Sequence, residues 1–595
     1  MSLRQLTIRA PQASRSVGRV SRIPHVRQRA TSSHAGASTR SPLPLLVAAG
    51  VVTGLSAYLL SNQIRLEEAN TPVDSGHTGK PAKGAKRGNQ GPMVKIKDVL
   101  DKKNSDDVWV VIKGEVYDVT EWVHDHPGGP EIILNNKSKD VTHIFNPRHP
   151  SDQLEGENLP TTVHHLGMLQ TEGASEEDKE ALMLKVSKDE EDDEERVRKA
   201  REKMEETGLG VIVNMKDFEK FAEPMLSKVA WAYYASAADD EITKNSNASA
   251  YQNVTFRPRI LQRVAKADCT TTIMGKESAL PLFISPAAMA KLGHPDGEIN
   301  LTKGAANTGI IQCISSNASC SVEEINAARA PGQPLFFQLY VNRKREVAAE
   351  LIKKVDRLGM DAIMMTGDAP VGGKRERDLR LKGEFEGPAG GVSEKSGETQ
   401  GVSQAMFAGV DPDLHWDDIP WVRSLTDTPI IIKGVQTVED ALLAYERGAD
   451  GILISNHGGR QLDTTRPCLD VLLEIRKHAP QLLRPEFRGD TGLNPESLKN
   501  LAQVVPPSRP GKMERPFEVY IDGGINRGTD VVKALCLGAN AVGVGRGFLF
   551  AQSVAGVEGV EHAVGILQSE ILLTLRLLGV NKLSELRPSM VEVKS

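Results

Sequence analysis

The run Ser455-Asn456-His457-Gly458-Gly459-Arg460 packs an imidazole, a guanidinium and two glycines into six residues. An imidazole can take or give a proton near neutrality, and a guanidinium fork matches the two oxygens of a carboxylate. Other short apolar stretches also end in polar groups. One finishes at Ser315, one carries Gln338 and Tyr340, and others end Thr366-Gly367-Asp368, Lys433, Asp522-Gly523-Gly524 and Gly545-Arg546. Any one of these could be an ordinary satisfied polar group. A packed core has no use for Lys, His, Asp and Arg converging together, so jointly they mark a site. Glycines 523, 524 and 545 let backbone amides approach an anion and Arg546 adds charge, which predicts a phosphate site. No dinucleotide fingerprint follows a first strand, so a single small phosphate cofactor is expected.

Eight apolar runs must position these groups: 280–285, 309–315, 335–341, 362–366, 429–433, 451–455, 517–522 and 541–545. Helical stretches separate them. Continuous apolar runs alternating with helices predict a parallel sheet buried on both faces. Eight of them predict an α/β fold, a (β/α)8 TIM barrel, whose chemistry sits at the C-terminal strand ends. Between the fourth and fifth runs, residues 369–428 carry Gly383, Gly387, Gly390, Gly391 and Gly397, the pattern of a lid or an insertion.

A second site precedes the barrel. Alternating residues over 107–119 predict strands joined at Lys113-Gly114. Then comes His124-Asp125-His126-Pro127-Gly128-Gly129, where Pro and two Gly make a tight turn against a flat ligand. His126 is expected as an axial iron ligand. The opposite ligand could be His143, His149, His164 or His165, with His143 inside a helical run. Two His ligands leave no open iron position, so such a haem carries single electrons.

The rest of the chain bounds the setting. Nine Arg and no Lys, Asp or Glu occupy residues 1–66, and the remainder keeps 64 of the 73 basic residues against 78 acidic ones. Such a body suits basic protein partners and excludes nucleic acid. Residues 1–40 have the composition of a mitochondrial transit peptide. Residues 41–62 hold an apolar run, 43–60, marginal in length for a membrane span, and 63–92 form a spacer. This reads as sorting to the inner membrane, with release to the intermembrane space or retention there. The acidic stretch 171–208 is expected as a mobile hinge. Five cysteines with no Cys-x-x-Cys pair speak against disulfides and zinc, leaving buried thiols.

Ser-Asn-His-Gly-Gly-Arg-Gln-Leu-Asp at 455–463 resembles the FMN-dependent 2-hydroxy-acid dehydrogenases and oxidases. The likeness runs from about residue 213 to 588 and includes Trp231-Ala232-Tyr233-Tyr234, Gln338-Leu339-Tyr340-Val341 and Ile432-Lys433-Gly434-Val435. The His-Pro-Gly-Gly motif is similar to the cytochrome b5 family, and that resemblance makes His149 the second haem ligand. The organisation implied is a small α+β cytochrome b5-like haem domain at 93–170 and an FMN barrel at 209–588. The resemblance further implies an L-2-hydroxy-acid substrate with L-lactate foremost, cytochrome c as electron acceptor, and a homotetramer.

Roles follow from the same resemblance. His457 is the base, and Asp368 stabilises its charged form. Arg460 and Tyr233 hold the substrate carboxylate, Arg375 adds charge, and Tyr340 bonds the substrate hydroxyl. Lys433 stabilises negative charge on the flavin. Ser315, Gln338, Thr366 and Ser455 bind the flavin ring. Asp522, Gly523, Gly524, Arg527, Gly545 and Arg546 hold ribityl and phosphate. Four positions depart from the lactate pattern: Asn317 replaces an apolar residue beside the substrate side chain, Gly367 a Val, Ala287 a Thr and Asn526 an Arg. A polar Asn317 favours a polar or larger substrate. Competing readings are an oxidase that reduces oxygen and a haem protein whose barrel has lost catalysis.

Overall fold

The computed structural model describes residues 92–126, 130–184, 187–384, 407, 409–487 and 516–594. The expected leader, apolar segment and most of the spacer lie outside the described residues, as do the turn at 127–129 and the glycine-rich stretch after residue 384, Phe407 and Gly409 apart. All described residues fall in one compact unit, 89–595. Among them no helix is long and apolar enough to cross a membrane. All five cysteines are free and buried.

Each of the eight apolar runs contributes one strand to a closed, all-parallel barrel. In chain order these are β1 (Leu282–Ile284), β2 (Ile311–Ser315), β3 (Leu335–Leu339), β4 (Ala362–Thr366), β5 (Ile430–Val435), β6 (Gly451–Ile454), β7 (Glu518–Ile521) and β8 (Ala541–Val544). Neighbours in sequence are neighbours in the sheet, and β8 pairs β1 to close it.

The barrel interior explains how the site is assembled. Phe283, Cys313, Phe336, Met364, Ile431, Leu453 and Tyr520 form one buried inner cluster. Strand side chains alternate faces with a period of two. Two residues beyond those inner positions stand Ser285, Ser315, Gln338, Thr366, Lys433, Ser455 and Asp522. The same register that packs the core therefore turns these polar side chains inward at the C-terminal mouth. On β5 the register with β6 shifts between Lys433 and Val435. The intervening Gly434 has φ +102°, and a Cβ there would meet Asp368 Cβ at 2.4 Å. This irregularity lets Lys433 and Asp368 approach each other.

The smaller domain is a four-stranded sheet of Met93–Lys95, Trp109–Ile112, Glu115–Asp118 and His164–Gln170. Lys113 and Gly114 both take positive φ, as a two-residue hairpin demands. Val108, Val110, Tyr117, Val119, Val141 and Val163 build its core.

The expected hinge has a more specific shape. Helix α1 (Glu176–Leu182) joins the haem domain, where Asp140 N–H donates to Leu182 O at 2.9 Å. Helix α2 (Lys188–Thr207), opened by a Ser187–Glu190 capping box, belongs to the barrel surface. Its Arg196 donates to Pro224 O and Leu226 O, and its Arg201 to Met225 O and Gly293 O. The acidic helix is therefore fixed to the barrel.

Candidate functional site

One cavity of about 390 Å³ opens at the C-terminal mouth of the barrel. His457, Arg460, Lys433, Tyr340, Tyr233, Arg375, Ser315, Gln338, Asp522, Gly523, Gly524, Gly545 and Arg546 all line it. Six basic side chains face it (Lys216, Lys244, Arg375, Lys433, Arg460 and Arg546) against the carboxylates of Glu219 and Asp522. That imbalance suits an anionic cofactor together with an anionic substrate.

His457 sits in a turn where residues 457, 458 and 459 all have positive φ. For a histidine this is a strained conformation, held by its surroundings. His457 Nδ1 lies 3.1 Å from Asp368 Oδ2 and 3.3 Å from Lys433 Nζ. Its Nε2 lies 3.2 Å from Tyr340 OH. Burial, then the Lys433 ammonium, lowers the His457 pKa to about 4, against the upward pull of Asp368. The imidazole is therefore neutral and able to accept a proton across the physiological range. Burial alone would raise the Asp368 carboxyl, but Lys433 and His457 outweigh it and hold it at about 2.

Three guanidiniums surround this cluster. Arg460 Nη2 donates to Tyr234 O at 2.5 Å. Arg375 is buried, with its Cζ 5.6 Å from the centre of the Tyr233 ring. Arg546, the first residue of helix α3 (Arg546–Leu578), donates to Gly458 O at 2.6 Å. Behind the opening, Ser315 Oγ donates to Gln338 Oε1 at 3.1 Å and Gln338 Nε2 to Thr366 Oγ1 at 3.0 Å. Thr366, Asp368 and Ser455 do not line the cavity but support residues that do.

Buried polar atoms without partners test whether a cofactor and substrate fit. Asp522 Oδ1, Arg546 Nη1, Arg375 Nε and Asn317 Nδ2 are all buried and unpartnered among the described residues. An unpaired buried polar group costs about 1–3 kcal/mol, and at the cavity a ligand group can satisfy each of these. Asp522 calls for a hydroxyl donor, and Arg546 at a helix N-terminus calls for an anion, as a ribityl phosphate supplies. Arg375 and Asn317 call for acceptors on the substrate side. The residues fit FMN.

Arg527, also expected at the phosphate end, stands apart from the others. Its guanidinium pairs with Glu570 at 2.7 Å, and it does not line the cavity. Its neighbour Asn526 does, with Nδ2 donating to Gly524 O at 3.0 Å. Ser285 and Lys244 were not expected at the site and line it. The two-residue register would have found Ser285. Lys244 comes from helix α4 (Ile242–Ala250), whose sequence carries no signal of it. Burial, then Arg546, lowers the Lys244 pKa to about 8.

In the smaller domain the His126 and His149 rings lie 6.1 Å apart between centroids. Two imidazoles on one metal, each with a metal–nitrogen bond of about 2.0 Å, need roughly that spacing. His149 Nδ1 lies 3.0 Å from Phe145 O, so its Nε2 is the nitrogen left for iron. Burial first lowers the His149 pKa to about 4, with His126, Arg148 and the barrel residue Lys291 adding to it. A neutral imidazole is the form that ligates. Three of the expected alternatives take other places: His143 lies within Thr142–Phe145, and His164 and His165 within a strand. The residues fit a bis-His haem.

A parallel eight-stranded barrel with a His–Asp–Lys cluster and a phosphate-ready mouth defines a flavin-dependent oxidoreductase class. Comparison makes it specific. Residues 222–593 match the FMN-dependent dehydrogenase family, and the chain belongs to it. Residues 95–204 match the cytochrome b5-like heme/steroid binding domain. The L-lactate dehydrogenase (cytochrome) of Wickerhamomyces anomalus is 41% identical over 84% of this chain and 79% of its own. That of Saccharomyces cerevisiae is 39% identical over the same shares. Spinacia oleracea glycolate oxidase is 37% identical over 64% of this chain and 95% of its own. Among solved structures, the flavin-binding domain of baker's yeast flavocytochrome b2 superposes with TM-score 0.58 at 39% identity, covering 68% of this chain and 91% of that one.

Proposed function

We propose that this protein oxidises a small L-2-hydroxy acid, L-lactate foremost, to the 2-oxo acid and delivers the electrons through its haem domain to cytochrome c. The observation that carries this reading is the His457–Asp368–Lys433 cluster facing a cavity ringed by guanidiniums. The two relatives named L-lactate dehydrogenase (cytochrome) support it, since both match most of the chain.

FMN in the barrel would accept two electrons, and a b-type haem between His126 and His149 would carry them singly. Ser315, Gln338, Thr366 and Ser455 bind or support the flavin-ring end. Asp522, Gly523, Gly524, Gly545 and Arg546 hold the ribityl and phosphate end. Arg460 and Tyr233 fix the substrate carboxylate, with Arg375 adding charge. Tyr340 hydrogen-bonds the substrate hydroxyl. His457 Nε2 takes the substrate proton, and Asp368 stabilises the imidazolium that results. Lys433 places positive charge where negative charge develops.

The domain plan is a transit peptide over 1–40, an apolar sorting or membrane segment over 41–62, a spacer over 63–92, the haem domain over 93–170, the connection over 171–208 and the barrel over 209–588. The leader composition supports the mitochondrial intermembrane space, and the acidic body suits a basic partner such as cytochrome c. A homotetramer follows the family resemblance.

The glycolate oxidase relatives favour a second reading, in which oxygen is the acceptor. Steady peroxide formation with a silent haem would select it. The deciding test offers L-lactate, glycolate, L-mandelate and longer L-2-hydroxy acids to the purified holoprotein without oxygen while haem absorbance is followed. Rapid haem reduction by L-lactate is expected. No reduction by any acid, with both cofactors bound, would sink the proposal.

A further inference from the structure

The haem-domain loop that carries His149 continues through Pro150 to Ser151 and Asp152. In the barrel, the chain leaves β2, lines the cavity with Asn317 and enters the short helix Val322–Ala327 at Ser321. Ser321 and Glu324 form the capping box of that helix. Ser321 Oγ accepts from Glu324 N at 3.1 Å, and Glu324 Oε2 accepts from Ser321 N at 2.7 Å. A capping box leaves one hydroxyl proton and one carboxylate oxygen over.

The haem domain takes both. Ser321 Oγ donates to Asp152 Oδ2 at 3.0 Å, and Ser151 Oγ donates to Glu324 Oε1. The exchange is reciprocal, since each domain supplies one hydroxyl and one carboxylate. Both sides are braced from behind. Lys113 Nζ, on the haem-domain hairpin, donates to Ser151 O at 2.9 Å. On the barrel side, Ser316 N donates to Gln338 O at 3.1 Å. Buried Glu298 accepts from Ser319 N at 2.9 Å and from Cys320 N at 3.0 Å. The stretch that walls the cavity thus also carries the landing point of the haem loop. Two such hydrogen bonds, with Ser151 exposed, are weak enough to form and release.

We propose that this shared capping box is the latch that docks the haem domain on the barrel for electron transfer, with Ser151, Asp152, Ser321 and Glu324 as its positioning residues. Reduced flavin would give up its two electrons one at a time, each turning ferric iron ferrous before passing on to the acceptor. The latch fixes the loop of one iron ligand beside the wall of the flavin cavity. This inference rests on the flavin-to-haem relay proposed above and on no particular substrate.

The test uses Ser151→Asp, which sets a carboxylate against Glu324, alone and combined with Glu324→Gln. The Gln keeps an oxygen for Ser321 N–H and offers an amide donor to the new carboxylate. Anaerobic stopped-flow absorbance follows flavin and then haem in the full-length holoprotein. The reductant is L-lactate, or whichever acid of the panel reduces the parent flavin fastest. Ser151→Asp should leave flavin reduction at the parental rate and slow haem reduction roughly three- to tenfold, the effect of one like-charge contact at a wet surface. Amide exchange over 148–152 should rise in the same variant. Both readouts should return toward parental when Glu324→Gln is added. Parental haem reduction in Ser151→Asp overturns the latch, whatever the exchange shows. So does a slowing that persists undiminished in the double variant, which would be local damage to the haem loop. A parent whose flavin is reduced while its bound haem stays oxidised overturns the relay itself.

Discussion

His457 Nδ1 lies 3.1 Å from Asp368 Oδ2, and Asp368 reaches that position only because Gly434 offers no Cβ to block it. The nitrogen opposite faces Tyr340 and the cavity. One ring edge is thus held by a carboxylate while the other is free to take a proton. Replacing His457 with Gln should slow flavin reduction by substrate by roughly 10²–10⁴-fold, with flavin and haem still bound. Anaerobic stopped-flow absorbance measures this. Near-parental reduction would remove His457 from the chemistry.

The same cluster sets a pH dependence. The folded His457 pKa is lowered from 6.5 to about 4, so the base form dominates from well below neutrality upward. The His457 limb of kcat/KM should therefore bend near pH 4. Stability carries the same sign. Between about 6.5 and 4 the unfolded chain binds a proton at this site that the folded chain does not, so this contribution is lost as pH falls through that window. Asp368, lowered from 3.8 to about 2, contributes stability that is full above 3.8 and lost as pH falls toward 2. A kcat/KM limb bending at 6.5 would show that His457 is not held neutral.

Much of this site was legible because a parallel barrel converts a period of two into geometry. Phe336 and Gln338, or Ile431 and Lys433, share a face by alternation alone, so the polar ends of apolar runs had to meet. Lys244 was not legible, since its helix precedes the barrel and reaches the mouth through tertiary packing. Arg527 stands apart from the cavity for a related reason. It follows the Asp522-Gly523-Gly524 turn closely in sequence, but Asp530 and Glu570 draw it into the cap of Gly528–Cys536. The acidic linker shows a third limit. Its charge implied solvation, while Arg196 and Arg201, among those acids, fasten it to barrel carbonyls.

Arg527 gives a test that separates cap from cofactor. Its ion pair with Glu570 is half exposed on the arginine side, so Arg527→Gln should cost about 1 kcal/mol of stability. FMN affinity should stay at the parental value, whereas Arg546→Gln should weaken it at least tenfold. Fluorescence titration of the apoprotein with FMN compares the two. Weaker binding in Arg527→Gln would return that residue to the phosphate site.

His149 stacks on Phe145 with ring centroids 4.1 Å apart and holds its Nδ1 on a backbone carbonyl. Its orientation is therefore fixed by its own loop and needs no help from the barrel. His149→Ala should lose haem while keeping FMN and the substrate-driven bleaching of the flavin spectrum. A dye that takes electrons directly from flavin should still be reduced, and cytochrome c should not. Haem retained with parental stoichiometry would point to another ligand.

Asn317 bears on what the substrate is. Its backbone N–H bonds Ser315 Oγ at 3.1 Å, so the residue is fixed against β2. Its Nδ2 is buried and unpartnered among the described residues, and the residue lines the cavity that Tyr340 and His457 share. An alkyl side chain such as the methyl of lactate leaves that donor unpaired, whereas a side chain bearing a carbonyl, hydroxyl or carboxylate oxygen satisfies it. A polar contact of this kind discriminates more strongly than one extra methylene, which is worth roughly 10–200-fold. Asn317→Leu should therefore raise kcat/KM for L-lactate and lower it for L-malate, moving their ratio by at least tenfold. The measurement is haem reduction by each acid under the same conditions. A ratio left unchanged would mean that the amide faces away from the bound substrate, and its unpaired donor would then need another partner.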